Sequence, residues 1–146
     1  MQIQLRSATE QDIPVIDAWA KAIDAGQFVS RYLLDRLNKI VWEIIVVDGV
    51  DIGTVWVETT PRLSDVVFLG IFIGRSDLFG RGVGRSVIRN VITNVRALPG
   101  DIAIRLHVRR NNARAIACYT RCGFVQIATG EKLGRDGAPV LTDHVE

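Results

Sequence analysis

The chain is poor in the residues that cross-link, kink or anchor a protein. Its 146 residues include two cysteines, Cys118 and Cys122, four prolines and two histidines. Two cysteines alone do not make a zinc site, and in a cytosolic chain of this size we expect free thiols. No apolar run is long enough to span a bilayer, and no basic segment followed by an apolar one marks a signal peptide. These absences favour a cytoplasmic protein with no bound metal and no membrane partner.

Lysine is also scarce, whereas arginine is abundant: the chain has three lysines and 15 arginines. The net charge is only +2, but segment 75–121 holds ten arginines and two acids, Asp77 and Asp101. The guanidinium group matches the oxygens of a phosphate, so the cluster predicts phosphate recognition. For most of these arginines taken singly, a solvated basic surface is the favoured interpretation, and the cluster as a group is more suggestive than any one member.

Hydrophobic periodicity predicts one α/β (α+β) domain over residues 1–146. Apolar and β-branched runs indicate strands at 3–6, 41–47, 52–58, 66–73, 101–108, 124–128 and 139–145. Amphipathic segments indicate helices at 9–25, 29–37 and 83–98, and one from Asn111 or Asn112 to Gly123. Asp48-Gly49 is typical of a tight hairpin, and residues 59–64 indicate a loop. We therefore expect a mixed central sheet of about seven strands with helices on both faces.

The stretch Gly80-Arg81-Gly82-Val83-Gly84 lies between a predicted strand and a predicted helix. Without Cβ atoms the backbone can approach a ligand closely, and the first helical turn offers free N–H groups to an anion. The pattern fits neither the G-x-G-x-x-G dinucleotide fingerprint, with its later acid, nor the P-loop. A phosphate cradle is the functional interpretation, and a tight turn that needs positive φ is the alternative.

A second block follows at the expected distance: Asn112, Ala115 and Tyr119 precede Gly123-Phe124. Together with the glycine loop, it resembles the GNAT superfamily of acyl-coenzyme A-dependent N-acyltransferases over nearly the whole chain. The resemblance implies acetyl-CoA as cosubstrate, no metal, and acetyl transfer to a primary amine by direct attack in a ternary complex. The cofactor-binding residues it implies are Ile71, Phe72, Ile73, Phe79, Gly80, Arg81, Gly82, Val83, Gly84, Arg85, Asn112 and Tyr119.

Phe79 departs from the family pattern, which has glutamine or arginine at that position. Arg81 and Arg85 could supply the missing charge. Some aminoglycoside acetyltransferases resemble the stretch from Phe72 to Gly80 closely. They carry acids where this chain has Gly70 and His107, and both losses weigh against a strongly polycationic acceptor.

Tyr119 is the predicted general acid, because its phenol could protonate the departing thiolate. A tyrosine that only packs in the core is the alternative. Glu58, at the end of its strand, and His107, whose unperturbed pKa would be about 6.5, are candidate general bases. Asp65 is a third and weaker candidate, and each of the three could be a plain surface residue.

The acceptor is expected to be a small-molecule or peptide amine. A homodimer could form through the last strand. Two other functions stay open at the sequence level: a non-catalytic acyl-CoA sensor, and a basic nucleic-acid-binding domain. Aromatic residues make up only 7% of the chain and are not interleaved with the arginines, which argues against nucleic acid.

Overall fold

The computed structural model describes residues 1–22, 39–60, 63–108, 112–130 and 138–142. The strands are β1 (Ile3–Ser7), β2 (Lys39–Val47), β3 (Val50–Thr60), β4 (Leu63–Ile73), β5 (Ala103–His107), β6 (Val125–Gly130) and β7 (Ala138–Thr142). The helices are α1 (Ile13–Ala22), α2 (Val83–Arg96) and α3 (Ala113–Arg121), and single 3₁₀ turns lie at Glu10–Asp12 and Ser76–Leu78.

The strands form one mixed sheet in the order β1-β2-β3-β4-β5-β7-β6. β1 to β4 are antiparallel neighbours, β5 runs parallel to β4, and β7 lies antiparallel between β5 and β6. Asp48 and Gly49 both have positive φ, as the predicted two-residue hairpin requires. The predicted mixed α/β fold is confirmed, and β4, which is apolar on both faces, is the central strand.

Two hydrophobic clusters cover the two faces of the sheet. Side chains alternate between faces along a strand, so Ile44 and Ile45 of β2 belong to different clusters. The larger cluster packs the apolar stripe of α2 against β2 to β5 and reaches Phe124. The smaller one packs Ile16 and Ala20 of α1 against an aromatic group on the opposite face. Helices therefore lie on both faces, as expected.

β4 and β5 are paired over a short stretch only. The register joins Val66 to Ala103, Val67 to Ile104 and Phe68 to Arg105. β4 continues to Ile73 beyond the last of these pairs, while β5 instead pairs with β7. We call the opening that begins after Phe68 and Arg105 the β4–β5 gap.

The boundaries differ from the predictions at several places. The predicted loop at 59–64 is too long, because β3 continues to Thr60 and β4 begins at Leu63, with Thr60 opposite Leu63. Residues 61 and 62 lie outside the described residues. The first helix begins at Ile13 after a 3₁₀ turn, and its described part ends at Ala22. The predicted helix at 29–37 lies outside the described residues. No helix in the described ranges has the length and apolarity needed to cross a membrane.

One polar contact fixes the start of α1 on the sheet. Arg6 of β1 donates to both carboxylate oxygens of Asp12, at 3.1 and 2.8 Å, and also pairs with Asp51 at 2.8 Å. The Asp12 carboxylate accepts from the Thr9 backbone N–H as well, at 2.9 Å. The hydrogen bonds from Arg6 lower the pKa of Asp12, since they favour the charged form.

Asp12→Asn is expected to lower the free energy of unfolding at neutral pH by about 1 kcal/mol, because Arg6 is 40% exposed and solvent screens the pair. A carboxyl with a lowered folded pKa stabilises the protein above its unfolded pKa of about 3.9 and loses that effect as the pH falls through the folded pKa. Urea unfolding at neutral and strongly acidic pH should therefore show the difference shrinking in acid. Asp51→Asn, in the exposed partner, is the control and should cost less; equal losses at both pH values would contradict this account.

Candidate functional site

One cleft of about 430 Å³ opens where the β4–β5 gap meets the ends of α2 and α3. Both blocks that the sequence analysis singled out line it, although they are about 30 residues apart in sequence. The lining residues are Ile71, Phe72, Ile73, Leu78, Phe79, Gly80, Gly82, Val83, Gly84, Arg85, Ile88, Asn112, Arg114, Ala115, Ala117, Cys118, Tyr119 and Arg121. Most of the predicted cofactor-binding residues are thus brought together in one place; Arg81 is exposed and does not line the cleft.

The glycine loop has the backbone of an anion site at the start of a helix. Gly80 and Gly82 have φ of 74° and 85°, a backbone conformation that residues with a Cβ rarely adopt. Gly82 is the N-cap of α2, and the first intrahelical hydrogen bond runs from Ser86 N–H to the Gly82 carbonyl. The N–H groups of the three preceding residues, 83–85, therefore have no helical partner and are available to an anion at the positive end of the helix.

Phe79 holds an arginine over the cleft. The guanidinium carbon of Arg114, in the first turn of α3, lies 3.7 Å from the centre of the Phe79 ring. That distance is a cation–π contact, which orients the guanidinium plane without using its N–H donors. Position 79, where the family pattern has glutamine or arginine, therefore lies beside the cationic side chain of Arg114 from α3. Sequence reasoning missed Arg114, although its place two residues after Asn112 in the arginine-rich segment was a usable signal.

The backbone of β4 presents donors to the gap. Gly74 N–H donates to the Ile52 carbonyl, on the β3 side of the strand. Because the direction of the backbone N–H groups alternates along a strand, the N–H of Phe72 also points to β3. The N–H groups of Ile71 and Ile73 therefore point into the gap. Of the three β4 residues predicted to contact the cofactor, two therefore have suitably directed N–H groups, and Phe72 contributes its side chain to the lining.

Tyr119 projects from α3 into the same cleft and is partly buried. Its ring packs against Phe124 with a centroid distance of 6.3 Å. Within the described residues its hydroxyl makes no hydrogen bond, and burial raises the phenol pKa well above its usual range. The group is therefore held as a protonated donor. Asn112 accepts the Ala115 N–H at 3.3 Å, so the predicted helix cap is confirmed.

Cys118 and Cys122 lie one helical turn apart on α3 and are free, as expected. Cys118 lines the cleft beside Gly84. Burial raises the pKa of both thiols, which disfavours the thiolate that a nucleophile requires. Neither thiol is therefore in a setting that favours its nucleophilic form.

Neither Glu58 nor Asp65 is among the described residues that line the cleft. Glu58 lies opposite Phe68 in the β3–β4 ladder, next to the start of the gap, and its carboxylate is 3.7 Å from Lys39 Nζ. His107 is the last residue of β5 and lies opposite Val140. Asp65 is exposed near the start of β4. Among the described residues no cluster of three or more metal-ligating side chains occurs.

Gly70, at the position where the resemblance to some aminoglycoside acetyltransferases implies an acid, lies beneath an aromatic ring. A Cβ built on Gly70 would overlap the Trp56 indole. Trp56 is 8% exposed and contacts Phe72 edge to face, with ring centres 6.3 Å apart. The face of the sheet opposite α2 is therefore covered by an aromatic side chain at Gly70.

Comparisons with known proteins agree with this architecture. A domain from Methanocaldococcus jannaschii DSM 2661 superposes with a TM-score of 0.78 at 20% identity over 97% of each chain. The aminoglycoside acetyltransferase AAC(6')-Ib, in complex with coenzyme A and kanamycin, has a TM-score of 0.78 at 19% identity, over 97% of this chain and 93% of that one. A spermidine N-acetyltransferase chimera from Vibrio cholerae and hSSAT has a TM-score of 0.72 at 19% identity, over 97% and 94%.

At such identities the structural likeness establishes the shared fold. No curated protein sequence matches the chain significantly. The model of the acetyltransferase (GNAT) family, however, matches residues 12–124, well over half of the chain. This match confirms the acyltransferase that the two sequence motifs predicted: the chain belongs to the acetyltransferase (GNAT) family.

Proposed function

We propose that the protein transfers an acetyl group from acetyl-CoA to a primary amine by direct attack in a ternary complex, with Tyr119 as the general acid. One observation carries this proposal: a single cleft joins an anion-binding helix start, free strand N–H groups and a protonated phenol. These are the three kinds of group that a phosphate-bearing thioester needs for binding, polarisation and departure.

The cleft suits coenzyme A along its length. The N–H groups at the start of α2 would bind the pyrophosphate, as the resemblance implied for Phe79 to Gly84. Three arginines also line the cleft: Arg85, Arg114 and Arg121. Their positive charge would pair with the phosphate oxygens of coenzyme A. We therefore assign to Arg114, held by Phe79, the role that the loop's missing cation would have had.

The residues around the gap would then serve the chemistry. Acetyl-CoA supplies an activated acetyl group as a thioester. The N–H groups of Ile71 and Ile73 would orient the bound thioester and polarise its carbonyl. As the amine nitrogen forms its bond to the carbonyl carbon and the C–S bond breaks, Tyr119 would donate its proton to the departing sulfur.

The amine must lose a proton before it attacks. Alkyl amines have a pKa of about 10 and are mostly protonated at neutral pH. Glu58 is our preferred proton acceptor, because its strand position next to Phe68 places it at the start of the gap. A bridging water would be needed, since Glu58 does not line the cleft itself.

Tyr119→Phe tests the general acid. It keeps the ring that packs on Phe124 and removes only the proton donor, so we expect kcat to fall by about 100-fold. The Kd for coenzyme A, measured by calorimetry, should stay within about twofold, because the phosphate contacts are remote from the hydroxyl. Unchanged turnover would contradict the assignment.

Arg114→Gln tests the displaced cation. Removing a charge-assisted contact to phosphate should weaken coenzyme A binding by about tenfold to a hundredfold and reduce its dependence on salt. Phe79→Leu keeps the Arg114 charge but removes the aromatic ring on which it lies, and should weaken coenzyme A binding by about two- to fivefold. Arg89→Gln, on the exposed side of α2, is the matched control. Wild-type affinity in the Arg114 variant would refute this role.

Glu58→Gln and His107→Gln, compared in separate pH–rate profiles, test the base. A required base must be deprotonated, so activity should fall on the acid side as it becomes protonated. We expect Glu58→Gln to lower kcat and to flatten that fall, and His107→Gln to keep the wild-type profile. The opposite result would assign the base to His107, and two unchanged profiles would exclude both residues.

A further inference from the structure

Arg105 occupies a special place in the sheet. It is the last residue of β5 that pairs with β4, so it marks the point where the gap begins. Its neighbours Ile104 and Leu106 are buried in the core beneath α2. Because side chains alternate, Arg105 lies on the opposite face, together with Phe68 and Glu58. On this face an acceptor could approach the gap from the side away from α2 and α3.

Among the described residues, the guanidinium of Arg105 has one unsatisfied donor. Its Nε is buried and has no hydrogen-bond partner, and within the described ranges no carboxylate forms an ion pair with it. A buried donor without a partner costs free energy, and native structures seldom keep one without a reason. A ligand that brings an acceptor oxygen to this place would remove that cost.

The neighbouring charges do not supply that oxygen. One row across the sheet joins Lys39 to Glu58, Glu58 to Phe68, and Phe68 to Arg105. The backbone of Glu58 lies two strand spacings, about 10 Å, from that of Arg105. Its carboxylate oxygen is 3.7 Å from Lys39 Nζ. The row therefore contains one more cation than anions, and the excess positive charge is at the start of the gap.

Two aromatic side chains lie further along this face. A Cβ on Gly70 would overlap the Trp56 indole, and Trp56 contacts Phe72 edge to face. An acceptor with several ammonium groups would be repelled by the Arg105 guanidinium, and the Glu58 carboxylate on the same face is already paired with Lys39. An acceptor with one amine and one anionic group could instead place its anion on Arg105.

We infer that the acceptor is a primary amine that also carries a carboxylate, as in an amino acid, and that Arg105 binds this carboxylate. The inference rests on the proposed function and gives it a substrate class. Arg105 is then a specificity-determining residue: it anchors the acceptor through paired N–H···O bonds while the amine points into the gap. The bond made and the bond broken are those of the acetyl transfer already described.

The test compares matched pairs of amines that differ only in the carboxylate. Glycine with methylamine, leucine with isopentylamine and phenylalanine with phenethylamine form such pairs, and spermidine is added as a polycation. Calorimetry on the full chain loaded with coenzyme A should show at least one amino acid binding about tenfold or more tightly than its partner amine. Thiol release from acetyl-CoA should follow the same preference.

Arg105→Gln should abolish that preference by raising KM for the amino acid about tenfold to a hundredfold, with kcat little changed. Arg105→Lys should restore part of it, and Arg89→Gln should leave it intact. If every pair binds equally, or spermidine is preferred, the substrate class is wrong. If the Arg105 variants do not fold, the comparison of pairs on the wild-type chain decides alone.

Failure of the proposed function has a different signature. The chain would then bind neither coenzyme A nor acetyl-CoA by calorimetry, or would bind them without thiol release for any amine. A protein that binds coenzyme A and acetylates amines without regard to the carboxylate would keep the function and overturn only the role of Arg105.

Discussion

The parting of β4 and β5 is the constraint on which the rest of the site depends. Their ladder ends at Phe68 and Arg105, and from there β4 has N–H groups that no strand accepts. Backbone donors inside a protein need partners, so a sheet opened in this way needs something to occupy the opening. The ends of α2 and α3 flank the same opening and bring charge to it. In the proposed function, this opening would hold the thioester and admit the acceptor.

Charge in the cleft is supplied by positions that the chain keeps apart in sequence. The loop contributes backbone N–H groups and a phenyl ring, and α3 contributes the guanidinium that lies on this ring. The raised pKa of Tyr119 follows from the same enclosure, because burial that holds a ligand away from water also disfavours a phenolate. The two neighbouring thiols are kept protonated for the same reason. Burial in one cleft thus explains why both the phenol and the two thiols stay protonated.

Much of the fold could be predicted because strong local signals coincide with it. The β-branched runs of β2 and β3, the Asp48-Gly49 turn, the stripe of α2 and the cap at Asn112 act over a few residues, and the structure confirms them. The extension of β3 to Thr60 could not be predicted, since strand ends are set by pairing with Leu63 rather than by propensity. Arg105 and Arg114 were two of ten arginines in one segment. Only tertiary contacts show that one lacks a partner and that the other lies on Phe79.

The packing of Trp56 on Gly70 also limits which residues position 70 can accept. The Cβ of an acid introduced there would collide with the indole, so that exchange is blocked while Trp56 keeps its place. Replacing Trp56 by a smaller residue first would leave a void between α1 and the sheet until position 70 is also substituted. We therefore expect the effects of substitutions at these two positions on stability to be non-additive.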